Sequence, residues 1–147
     1  MSAHAPDITK PFCSTPGVIP LVVSQHVDDA AVLWAQRSEL ARGGYVKLHH
    51  LRRFDDRLAA HLDGLDVAGP EAWPMCLAAL EKPFAGAMFT ATRYALAARR
   101  FDWLDLLLAA AQSDQASRRG LLSAFAWQTL DDSWRSQSFS LANEIMV

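Results

Sequence analysis

Cysteine is nearly absent from this sequence: Cys13 and Cys76 are the only two in 147 residues. Two isolated thiols build neither a disulfide framework nor a zinc-ligand spacing, and they point to a reducing, cytoplasmic setting. β-Branched residues are also scarce. Valine, isoleucine and threonine total 16, against 25 alanines and 19 leucines, a balance that excludes a β-sandwich, a barrel or a parallel sheet. No charge of one sign dominates. Fourteen basic residues meet sixteen acidic ones, for a formal net charge of −2, so the excess of cations that a phosphate backbone demands is missing and no nucleic-acid partner is expected. Arg99-Arg100 and Arg118-Arg119 read as solvated helix ends. No long hydrophobic run exists. The stretch 104–111 is interrupted by Asp105 and is far shorter than the roughly 20 residues of a membrane span. The first 20 residues lack the basic and apolar regions of a signal peptide. No nucleophile elbow or glycine-rich phosphate loop occurs, so no catalytic residue, cofactor or metal ligand is expected.

What is present is helix-forming. Apolar residues make up 51% of the chain, enough for the core of one domain, and alanine and leucine lead the helix scale. Residues 1–20 hold Pro6, Pro11, Pro16 and Pro20, predicting an extended leader laid over the domain by Phe12, Val18 and Ile19. A single helical domain over 21–147 follows. Apolar spacing predicts about seven helices. The first starts at 21–24 and ends at Arg42, with Val27, Ala30, Ala31, Trp34 and Ala41 as its buried stripe and Gly43-Gly44 as its stop. The second covers 48–62 on the stripe Leu51, Phe54, Leu58, Leu62 and Leu65, and Gly64 terminates it. The third covers 70–81, with Pro70 and Pro74 both in its first turn. The fourth covers 83–99, where Ala85, Gly86, Ala87, Ala91, Ala95 and Ala98 permit close approach of a neighbour. The fifth covers 101–112, Ser113 and Asp114 supply turn and cap chemistry, and the sixth and seventh cover 117–130 and 131–147. Residues 21–69 form one antiparallel helical hairpin. From residue 70 the rhythm is that of HEAT-like helix pairs in an α-solenoid.

Candidate chemistry is sparse. His26, beside Asp28 and Asp29, and His61, near Asp63, are the residues a metal-dependent enzyme would need. Without ligand spacing they read better as histidines bonding a neighbouring helix end or carboxylate. His49-His50 reads as exposed at a helix start. Asp55-Asp56 among Arg52, Arg53 and Arg57 gives ion pairs along one helix, and those arginines oppose the desolvation that acid–base catalysis requires. Asp56 and Arg57 read instead as a brace between the first two helices. Cys76, on the apolar face with Trp73, Leu77 and Leu80, reads as a buried small hydrophobe. Trp34, Trp73 and Trp127 read as core. Trp134, flanked by polar residues, reads as an exposed anchor, and with Phe139 and Ile145 it defines the expected partner-binding surface on the last helix pair. The apolar end 145–147 carries no polar cap, so it would attract a partner protein or a second copy of the chain.

Three stretches carry a resemblance: 22–34 (VVSQHVDDAAVLW), 51–73 (LRRFDDRLAAHLDGLDVAGPEAW) and 120–127 (GLLSAFAW). They resemble an uncharacterised bacterial family of helical HEAT-like repeats whose genes often lie near type VI secretion clusters. Its most specific part is Asp56-Arg57-Leu58, then 60–65 (AHLDGL), Ala68-Gly69 and Trp73, and the resemblance spans about 19–127. It implies a fold class and a genomic setting, and no catalytic residue. Family members are usually longer, with further repeats after the 123–127 helix, so the chain matches either a naturally short member or an N-terminal piece. The resulting expectation is a non-enzymatic protein–protein interaction module. It would act as an adaptor or chaperone of type VI secretion, binding an effector or spike component before export. The alternative is an immunity protein that binds and blocks a neighbouring toxin.

Overall fold

The computed structural model describes residues 17–82 and 84–145, with side chains placed through residue 130. Helices α1 (Pro20–Arg42), α2 (Leu48–Ala68), α3 (Ala72–Ala79), α4 (Ala85–Ala97), α5 (Phe101–Ala111) and α6 (Gln115–Ile145) follow in order, with a single 3-10 turn, Gly69–Glu71, between α2 and α3. No strand occurs among the described residues, so the all-α class expected from the alanine and leucine excess is the class observed.

Four of the differences from the expected boundaries have a local reason. Pro20 is the first residue of α1, not the last of the leader. Its fixed φ suits the first helical position, where an N–H has no partner anyway. Residues 1–16 lie outside the described residues, and of the expected leader contacts Val18 packs on the core while Ile19 is exposed. Helix α2 passes through Gly64 and stops at Gly69, whose φ of 63° is the left-handed conformation glycine tolerates. The third helix is split, because Gly69 and Pro70 form the 3-10 turn and α3 proper starts at Ala72. Pro74 then falls in the first turn of α3, where no internal hydrogen bond is lost. The expected sixth and seventh helices are one, α6, 31 residues long. Asp131, Asp132 and Ser133 favour caps, but no glycine or proline accompanies them to break the helix.

The core is organised by α4. Every residue from Ala85 to Ala95 is buried, and α4 packs against all five other helices. A helix made almost wholly of small and apolar residues belongs in the interior. In a stack of helix pairs each unit touches only its neighbours, whereas here one helix is enclosed by the rest. Two glycines make the enclosure possible. A Cβ on Gly86 would collide with the backbone carbonyl of Ala31 in α1, and one on Gly120 with the backbone carbonyl of Ala85 from α6. Around this contact Phe89 stacks on Trp34 at 5.3 Å between centroids and meets Trp127 edge-on at 5.9 Å, which places both tryptophans where their apolar spacing put them. Val27, Ala30, Ala31, Leu58, Leu62 and Leu65 are buried as their stripes require, but Ala41 is exposed, since the fully buried stripe of α1 ends at Trp34 and only the half-buried Ala35 packs on the core after it. Asp114 caps α6, accepting from the Ser117 N–H at 2.9 Å and the Ser117 hydroxyl at 2.5 Å. These bonds hold its carboxyl below the usual carboxylate range.

Candidate functional site

The two histidines singled out in the sequence do meet. His26 on α1 and His61 on α2 share a hydrogen bond between their Nδ1 atoms at 2.9 Å, and His61 Nε2 stands 3.9 Å from the Asp29 carboxylate. One of the two Nδ1 atoms donates and the other accepts. Gly64 explains how the rings fit: a Cβ there would lie 2.8 Å from His26 Nε2. The glycine read as a helix stop is a seat for the His26 ring. No group of three or more His, Cys, Asp or Glu residues able to hold a metal occurs among the described residues, and Asp63 adds nothing to the pair.

The brace between α1 and α2 exists, but with other partners. Arg37 donates to Asp55 from Nε at 2.6 Å, while Asp56 and Arg57 are exposed. Helix periodicity accounts for the change, because Asp55 lies one position nearer the α1-facing side set by Leu58 and Leu62. Cys76 is buried as expected, and burial pushes its thiol up to about 12 from a usual 9. It is therefore protonated in the folded chain at neutral pH and unreactive. In a Cys13→Ser variant, iodoacetamide at pH 8 should leave Cys76 unmodified until urea unfolds the protein. The sign of the linkage follows: the stability tied to this thiol is complete below pH 9 and is lost as pH climbs toward 12. Trp134, Phe139 and Ile145 have side chains outside the described residues, although the α6 backbone carries all three.

A different site emerges at the far end of α4. A cleft of about 660 Å³ opens where α2, α4, α5 and α6 converge, and Asp66, Arg93, Tyr94, Arg99, Arg100 and Trp103 define its chemistry. Arg93 is 3% exposed and donates through both terminal nitrogens to Asp66, at 2.9 and 3.0 Å, a two-pronged pair. Its Nε–H is buried without a partner among the described residues. Tyr94 donates its hydroxyl to the Gly69 carbonyl, tying the 3-10 turn to α4. Burial, then the neighbouring Cys76 and Asp66, push that phenol up to about 12. Trp103 stacks on Trp73 at 4.2 Å, and the Arg100 guanidinium sits 4.1 Å over the Trp103 ring. Arg100 is paired in turn with Asp102 at 2.7 Å.

Arg99 is the exception in this set. Helix α4 ends with the Arg100 N–H bonded to the Ala95 carbonyl and the Arg99 N–H to the Leu96 carbonyl, a Schellman arrangement that puts Arg99 at the position normally taken by glycine. Its φ is 54°, the only positive value at a non-glycine residue among those described. A left-handed arginine costs about 1 kcal/mol relative to glycine. Its side chain makes no hydrogen bond or ion pair among the described residues. An arginine, strained and unpaired, thus stands at the edge of a cleft where glycine would be more comfortable, and such departures cluster at functional sites.

Comparison with protein-family profiles, curated proteins and solved structures finds no match. The cleft therefore stands on its own geometry. Reading the sequence missed it because its residues come from four helices, with Asp66 and Arg93 separated by 27 positions. One signal was there to find: Arg93 is the lone charge in the small and apolar run 85–98, and a charge on a helix buried on all sides must be answered by a partner.

Proposed function

We propose that this chain is a non-enzymatic protein-interaction module that docks its partner at the α4–α5 cleft. One observation carries the reading. The cleft brings Arg93, Arg99, Arg100, Tyr94 and Trp103 together, and the next residue along the chain from Arg100, Phe101 at the start of α5, leaves its large apolar side chain 73% exposed. Arginine and aromatic groups set beside exposed apolar side chains are what the centre of a protein–protein interface is made of. An enclosed small-molecule site would instead bury its apolar residues. The resemblance to HEAT-like proteins near type VI secretion genes makes a secretion effector or spike component the partner to test first. The test is co-purification of the chain with its neighbouring gene products, in parallel with a Phe101→Glu variant. A partner retained by the unmodified chain and lost from the variant supports the reading, and equal retention removes the cleft from it.

A further inference from the structure

We infer that the cleft recognises a single carboxylate, presented by an apolar segment of the partner protein. This inference rests on the interaction reading above and names its chemistry. The charges at the cleft and its rim can be balanced residue by residue. Arg93 is answered by Asp66 and Arg100 by Asp102, which leaves Arg99 as the one uncompensated cation among the described residues of the cleft. A carboxylate carries one negative charge and satisfies it. A phosphate dianion brings two, close to Asp66 and Asp102, and is disfavoured by like-charge repulsion. The same arithmetic disfavours a nucleic acid, whose binding needs many unpaired cations. A second observation, independent of charge, also points to an oxyanion. The Arg93 Nε–H is a buried donor without an acceptor among the described residues, on a residue that lines the cleft. A buried donor left unmade costs free energy that an incoming oxygen restores. Asp66 takes only the two terminal nitrogens of that guanidinium, so the Nε–H is left unanswered by it. Arg100, set over the Trp103 ring and paired with Asp102, is already ordered and pays little entropy to accept a ligand. The exposed Phe101, next to Arg100 at the start of α5, is the apolar side chain offered to the segment that carries the carboxylate.

Arg99 makes the inference separable from stability. Arg99→Gly relieves the left-handed strain, so it should raise Tm by a few degrees while removing the receiving cation. The probe is an end-blocked tripeptide of leucine, glutamate and phenylalanine, with glutamine or phosphoserine replacing the glutamate in two control peptides. Binding is followed on the full chain by NMR, using the Trp103 indole and the Arg99 and Arg100 backbone signals. The expected result is binding of the glutamate peptide and at least about tenfold weaker binding of both controls, the size of a charge-assisted hydrogen bond. Binding should be lost in the more stable Arg99→Gly variant. Equal binding of the glutamine peptide, tighter binding of the phosphoserine peptide, or unchanged affinity in Arg99→Gly each overturns the carboxylate assignment. If a partner still docks at Phe101 under any of those results, the interaction reading survives without it. If the glutamate peptide binds but no protein docks there, the interaction reading fails and the carboxylate site remains.

Discussion

Alanine at Gly120 should destabilise the fold by about 2–3 kcal/mol, although alanine is the better helix former. In an exposed helix the exchange gains about 1 kcal/mol. Here the added Cβ meets the backbone carbonyl of Ala85, and backbone cannot rotate aside as a side-chain tip can. Helices α4 and α6 must separate, which loosens packing along the whole of their contact. Gly86→Ala should behave alike, because its Cβ meets the Ala31 carbonyl from α1. Gly44→Ala is the control: nothing lies within 4 Å of a Cβ there, so its effect should stay within about 0.5 kcal/mol. Urea midpoints for the three variants check this directly. A stabilised Gly120→Ala protein would mean that α4 is not clasped as described.

The second large effect concerns Asp66. Its removal leaves Arg93, 3% exposed, without a counter-charge. Breaking a buried pair from one side costs about 3–5 kcal/mol, and Asp66→Ala should fall near the lower end because the carboxylate itself is about one-third exposed. The damage comes from stranding the arginine rather than from losing an attraction. An Asp66→Leu, Arg93→Met double variant should therefore recover most of the loss. The Arg37–Asp55 pair is the contrasting case. Both side chains are about one-third exposed, so Asp55→Ala should cost under about 1 kcal/mol despite the shorter 2.6 Å contact. Chemical denaturation of the four proteins separates the two kinds of ion pair by burial, with distance working the other way.

The parts of the fold that were legible in the sequence depend on near neighbours along the chain. Val27, Ala30, Ala31 and Trp34 share a face because they recur at helical spacing, and the small residues around Gly86 announced a close approach that the structure contains. Asp114 was readable as cap chemistry from its place before α6. What was not legible turned on partners far away. Gly64 and Gly69 look alike in sequence, yet one seats the His26 ring within a continuous helix and the other ends that helix. Asp131-Asp132-Ser133 looked like a junction, and only the lack of a breaking residue keeps α6 whole. Arg99-Arg100 read as a solvated helix end, which is half of what it is. The pair is exposed, but one member is stacked on Trp103 and the other is held in a left-handed turn at the cleft. The burial of Arg93 against Asp66 required α2 and α4 to be packed first, and no local pattern encodes that distance.

A photo-cross-linking residue placed at Phe101, and separately at Tyr45, tests most directly whether the cleft is where a partner protein docks. Both positions are exposed, Phe101 at 73% and Tyr45 fully, so reagent access does not distinguish them. Tyr45 precedes the start of α2, whereas the cleft residue Asp66 lies near its end, roughly 30 Å away along the helix. Irradiation in the source cells should give one discrete protein adduct from position 101 and none from position 45, and the adduct should disappear when Arg99→Gly is added. Adducts of equal yield from both positions, or none from position 101, would contradict docking at the cleft.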